Sequence, residues 1–138
     1  MKKIMCAILS AALLLSILVI PTVAAGPKFS DVPKTHWAYE AITMMTKAGV
    51  MVGTGDGKFS PDATCTRAQS VTFLYRASGS PAVSDKAEFS DVSTTAFYAD
   101  AVAWAAKKGI TTGYNTTTFA PEDNCTRAQA VTLLYRAK

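Results

Sequence analysis

Residues 29–77 return as residues 89–137, at a constant offset of 60 positions and without a gap. The run Phe29-Ser30-Asp31-Val32 recurs as Phe89-Ser90-Asp91-Val92, and Cys65-Thr66-Arg67-Ala68-Gln69 as Cys125-Thr126-Arg127-Ala128-Gln129. Gly49 and Gly53 recur as Gly109 and Gly113, and Phe59 and Pro61 as Phe119 and Pro121. Leu74-Tyr75-Arg76-Ala77 recurs as Leu134-Tyr135-Arg136-Ala137. Where identity lapses, chemistry persists: Trp37 aligns with Phe97 and Ile42 with Val102. A fixed period of this kind marks a repeat architecture, in which each unit buries its apolar face against a neighbour. Two copies of one small unit also suggest a binding or assembly module more than a single catalytic centre.

The residues ahead of the repeats have a different character. Met1-Lys2-Lys3 precedes an apolar run from about Ile4 to Ile20, Pro21 breaks it, and Val23-Ala24-Ala25 supplies small residues at a cleavage spacing. This is the pattern of a secretory signal peptide over residues 1–25; the apolar run is short for a membrane anchor. Cys6 lies within that run and leaves with the leader. Cleavage takes two of the 14 Lys and Arg, so residues 26–138 carry 12 basic and 10 acidic side chains, a net charge of +2. No basic stripe or arginine-rich run remains, so neither nucleic acid nor, after cleavage, a membrane is expected as a partner. One such unit buries too little surface to fold alone, whereas packed units share a core. The expected organisation is signal peptide 1–25, repeat 1 at 26–78, a linker at 79–88 marked by Gly79, Ser80 and Pro81, and repeat 2 at 89–138.

Each unit reads as helix, loop, helix, so the fold class is mostly α. Ala38, Ala41, Ile42, Met45 and Ala48 form one helical face, with Gly49 as a natural stop. Ala101, Val102 and Ala105 repeat the face, and Gly109 the stop. The loop Gly53-Thr54-Gly55-Asp56-Gly57 carries the Asp-Gly signal of a tight turn. With one carboxylate, and Asn115-Thr116-Thr117 in the second copy, it is neither a calcium loop nor a phosphate loop. Thr66 with Gln69, and Thr126 with Gln129, have the spacing of a capping box that opens each second helix. Ala68, Val71, Thr72 and Tyr75 then make a continuous stripe, copied as Ala128, Val131, Thr132 and Tyr135, suited to packing on like helices.

Arg67 and Arg127 stand at the first helical position, where the helix dipole disfavours a cation. Two readings account for them. One is an ion pair with Asp31 or Asp91; the other is a ligand carboxylate gripped by the guanidinium together with free helix-start amides. Trp37 and Phe97 read as core staples at the first helices, with sugar stacking on Trp37 as the alternative. Phe29, Phe59, Phe89 and Phe119 are expected in the core. Cys65 and Cys125 read as small buried hydrophobes, because symmetry-related sites need not approach within bridging distance; a disulfide is the alternative. His36 is the one histidine, so neither a zinc site nor a nucleophile–His–acid set is available, and no metal, cofactor or enzyme activity is expected.

In order, these residues resemble the S-layer homology repeats. The resemblance rests on Phe29-Ser30-Asp31-Val32, Trp37, Gly49-Val50, Gly53, Phe59-Ser60-Pro61 and Thr66-Arg67-Ala68-Gln69. It rests equally on Phe89 to Val92, Phe97, Gly109-Ile110, Gly113-Tyr114, Phe119-Ala120-Pro121 and Thr126 to Gln129. What it implies is non-covalent anchoring of a secreted protein to the bacterial cell wall. The ligand would be an acidic, often pyruvylated secondary cell wall polymer attached to peptidoglycan. It implies a pseudo-threefold domain when three repeats are present, with second helices in a central bundle and ligand grooves between lobes. Arg67 and Arg127 would face the pyruvyl carboxylate, and Asp31, Asp91, Trp37, Gly53, Gly113 and Tyr114 would shape the grooves. This sequence departs from the family pattern in having Gln69 and Gln129 for Glu, in Phe97, and in showing two repeats. A pair of repeats implies self-association or a shortened product of a longer anchor. The other function to weigh is an assembly module that packs with repeats of other surface proteins and holds glycan weakly or not at all.

Overall fold

The structure, a computed structural model, describes residues 28–138; the leader expected over residues 1–25 lies outside the described residues. Four helices follow in order: α1 (Tyr39–Lys47), α2 (Arg67–Ala77), α3 (Ala99–Lys107) and α4 (Arg127–Ala137). The described chain is therefore helical, with two isolated β-bridges, as the repeat pattern predicts.

Local chemistry sets the helix ends. Glu40 and Asp100 lie in the first turns of α1 and α3, and Lys47 and Lys107 in the last, each sign favourable to the helix dipole. Gly49 and Gly109 close these helices with φ near 70°. Around them Val50 N donates to Met45 O, and Ile110 N to Ala105 O, as in a Schellman stop. The capping boxes of α2 and α4 are complete in both directions. Gln69 N donates to Thr66 Oγ1 at 3.2 Å and Thr66 N to Gln69 Oε1 at 2.9 Å, with the same distances at Gln129 and Thr126.

The Asp of each Phe-Ser-Asp-Val run holds the loop before the second helix. Asp31 accepts from Phe59 N at 2.9 Å and Ser60 N at 2.7 Å; Asp91 accepts from Phe119 N and Ala120 N at the same distances. Ser60 and Ala120 have φ of 58° and 57°, a left-handed conformation that costs a non-glycine residue roughly 1–2 kcal/mol. The two charge-assisted bonds offset that strain and place Phe59 or Phe119 below the loop.

The two helices of one repeat do not approach each other closely along their backbones. Instead α2 lies across α3 of the following repeat and also touches α4. The core forms at this junction, from Ala68 and Val71 of α2, Ala101, Val102, Trp104 and Ala105 of α3, and Leu133 of α4, closed by Phe89, Val92, Ile110 and Phe119. Tyr75 packs on Trp104 with ring centroids 5.6 Å apart, and its hydroxyl donates to Pro81 O at 2.9 Å, which docks the linker. Backbone bonds stitch the repeats: Arg67 N donates to Asp123 O at 2.8 Å, Ala68 N to Pro121 O at 3.0 Å, and Cys125 N to Cys65 O at 2.9 Å. Phe89 and Phe119 are buried as expected, whereas Phe29 and Phe59 are half-buried and lie outside the main core. The difference has a plain cause: α2 covers the α3 lobe, and no described helix covers the α1 lobe.

Candidate functional site

The α2–α3 junction leaves a groove of about 170 Å³ between the repeats. Its walls are the segment Ile110 to Tyr114, the α4 residues Gln129, Thr132, Leu133 and Arg136, and Arg67 from the start of α2. Two of the lining residues are cations and none is a carboxylate.

Arg67 is 6% exposed. Its Nε donates to Phe119 O at 2.9 Å, and its guanidinium carbon lies 4.5 Å from the Tyr114 ring centroid and 4.9 Å from that of Phe119. The aromatic rings hold the guanidinium plane and give it weak compensation for lost water. Its terminal amino groups make no hydrogen bond among the described residues, and no buried polar side-chain atom is left unpaired, so those groups open onto the groove. Arg136 approaches from α4, with Nη1 3.5 Å from Ile110 O, and Gln129 Nε2 lies 3.5 Å from the Tyr114 hydroxyl.

The ion pair that offered the alternative account of Arg67 is not formed. Among the described residues the one ion pair joins Lys107 and Asp85. Asp91 is occupied by loop amides instead. Its desolvation pushes the carboxyl up, but the Phe119 and Ala120 amides and the nearby Arg67 charge outweigh it and hold the group below the usual carboxylate value. Asp31 is held low mainly by the Phe59 amide. The expectation of free helix-start amides is also corrected at α2, where Arg67 N and Ala68 N go to Asp123 O and Pro121 O, and Gln69 N to its own cap. An anion here would meet side chains rather than backbone.

The remaining expected residues are placed as follows. Tyr114 and Gly113 line the groove. Gly113 has φ of 70°, and a Cβ there would run into the Phe89 ring and the Thr118 and Asn115 carbonyls. Gly53 is packed just as tightly, against Phe29 and the Lys58 carbonyl, but in the α1 lobe. Arg127 is exposed, with no side-chain hydrogen bond among the described residues. Trp37 is 91% exposed and Phe97 67% exposed, so neither is a core staple; Trp37 stacks beside His36, with centroids 5.9 Å apart. Their position before the first helix, rather than within its apolar face, puts them outside. Cys65 is exposed and Cys125 half-buried, both as free thiols, so the buried-hydrophobe reading of this pair is corrected as well. The sequence reading missed Arg136, Thr132 and the second role of Gln129. The available signal was that Gln129, Thr132 and Arg136 share one face of α4 at helical spacing.

Two tandem lobes with a cationic groove between them define a helical repeat module. A sequence profile of the S-layer homology domain matches residues 28–69 and 88–131, and the chain belongs to that family. The "Surface-layer 125 kDa protein" of Lysinibacillus sphaericus is 35% identical over 137 residues, which covers 99% of this chain and 11% of that protein. The "Surface layer protein" of Brevibacillus choshinensis is 34% identical over 142 residues, covering 99% of this chain and 12% of that protein. An "Endoglucanase" of Bacillus sp. strain KSM-635 is 38% identical over 109 residues, covering 79% of this chain and 11% of that protein. The chain thus spans a small part of these relatives, and the matched part occurs in proteins named for a surface layer and in one named for an enzyme.

Proposed function

We propose that the chain is a bacterial cell-surface anchoring module that holds an acidic glycan, a pyruvylated secondary cell wall polymer, in the groove between its two repeats. The observation that carries this reading is Arg67: a guanidinium held almost wholly inside the protein, with no carboxylate paired to it among the described residues and its free edge turned to the groove. Such a cation favours a ligand anion, and Arg136, lining the same groove from α4, adds a second charge. Tyr114, Gln129 and Thr132 supply a ring and polar groups for the sugar. Asp91 acts behind the site, by fixing the Phe119 loop on which Arg67 rests. In this reading the module itself is not catalytic, and any activity of a longer relative belongs elsewhere in that protein. The test is co-sedimentation of residues 26–138 with cell-wall sacculi. Binding is expected to intact sacculi, to fall after mild acid cleaves ketal-linked pyruvate, and to vanish after the polymer is extracted. Undiminished binding to extracted sacculi contradicts the proposal.

A further inference from the structure

Among the described residues, one half of the inter-repeat contact recurs unpaired on α4 and the other half on α1. In the formed contact, Arg67, Ala68, Val71 and Thr72 of α2 are buried, and Tyr75 packs on Trp104. The receiving face, Ala101, Val102, Ala105, Phe119 and Pro121, is buried too. The same five donor residue types recur on α4 as Arg127, Ala128, Val131, Thr132 and Tyr135, and all five are exposed, Val131 at 61% and Tyr135 at 80%. The receiving face recurs on α1, where Ala41, Ile42, Met45, Met51, Phe59 and Pro61 line an open, mostly apolar groove. The backbone repeats the picture: Arg67 N and Ala68 N are paired across the junction, while Arg127 N and Ala128 N have no backbone acceptor among the described residues.

We infer that the α4 face of one copy docks on the α1 groove of a second copy, head to tail, by the contact that α2 makes with α3 inside the chain. The occupant is specified by the chain itself, because the seated example carries the same side chains at the same spacing. By that register Ala128 N of one copy reaches Pro61 O of the next, and Arg127 lies against Phe59. Arg127 then gains the enclosure that Arg67 already has, with Thr54 where the first groove has Tyr114. Docking of the second copy thus completes the second groove. A head-to-tail contact is heterologous, so it builds a ring or an open array.

The test is the mass of residues 26–138, which carry every described helix, by sedimentation equilibrium from micromolar to millimolar concentration in reductant. Val131→Glu blocks the donor face and Met45→Glu the receiving face. Wild type is expected to gain mass with concentration, and each variant alone to remain monomeric. An equimolar mixture of the two variants should form a 1:1 dimer through the one intact pair of faces. A wild type that stays monomeric throughout, a variant that assembles like wild type, or a mixture that fails to pair overturns the inference. If either variant loses its helical circular dichroism, Thr132→Arg or Ala41→Arg takes its place.

A different observation concerns the thiols. Thr66 and Asn124 form an antiparallel bridge flanked by the Arg67 N–Asp123 O and Cys125 N–Cys65 O bonds, which sets Cys65 directly opposite Cys125. Opposed antiparallel residues of this type have Cα atoms about 5.5 Å apart and side chains on one face, within disulfide reach. We propose that the two thiols form an inter-repeat disulfide by exchange with an external disulfide. The Sγ–Sγ bond forms as both thiols lose their protons, and the external disulfide takes up the two electrons and two protons to leave as two thiols. Incubation with oxidised glutathione is expected to remove both titratable thiols, lower the monomer mass by about two hydrogens, and raise the thermal midpoint. Persistent free thiols, stable glutathione adducts or intermolecular dimers overturn it.

Discussion

Arg67 and Arg127 hold equivalent places in the repeat, yet a neighbouring lobe encloses Arg67 and leaves Arg127 in solvent. Sequence could supply the residue type and the helix-start position; it could not supply the lobe that decides which arginine is desolvated. The aspartates behave more uniformly. Asp31 and Asp91 both titrate below the usual 3.8 in the folded protein. A carboxyl depressed on folding contributes stability above its unfolded value, and that stability is lost as pH falls through the folded value. Thermal midpoints are therefore expected to hold down to about pH 5 and to fall below it, with Asp91→Asn flattening part of the fall. A midpoint that rises on acidification would contradict this. Gly113→Ala should cost more than Gly109→Ala in urea unfolding, although both positions have φ near 70°. A Cβ at Gly109 meets nothing, whereas one at Gly113 meets the Phe89 ring and two carbonyls. About 1 kcal/mol for Gly109 and clearly more for Gly113 are expected.

At the scale of elements, the four helices, the glycine stops of α1 and α3 and both capping boxes were legible in the sequence, because caps and stops are decided within a few residues. The pairing of helices was not. The repeat reads as helix–loop–helix, but α2 closes the lobe of α3 rather than that of α1. The stripe from Ala68 to Tyr75 announces that α2 packs, without saying on which partner. The consequence is an asymmetry between identical residues. Phe119→Ala, at a fully buried ring, is expected to cost about 3–5 kcal/mol, and Phe59→Ala, at a half-buried one, a fraction of that. Equal losses in urea unfolding would count against the lobe assignment. Thr66→Ala should cost about 0.5–2 kcal/mol through loss of the α2 cap.

For the whole molecule, the inter-repeat groove belongs to neither repeat alone. Its walls come from the start of α2, the loop after α3 and the flank of α4, so folding of the pair and formation of the site are one event. Of the residues that the family pattern names, Arg67, Gly113 and Tyr114 line this groove. The pattern passed over Arg136, whose counterpart Arg76 lies outside this groove. Arg136 is exposed, so its charge can be reversed with little effect on folding. The most direct measurement is sacculus binding by Arg136→Glu beside Lys47→Glu, an equal change in net charge on the exposed surface of α1. Loss of a charge-assisted bond worth about 1.5–3 kcal/mol predicts that Arg136→Glu binds at least about tenfold more weakly. Lys47→Glu should bind like wild type. Equal weakening of the two variants, or none in either, would contradict a carboxylate held in the inter-repeat groove.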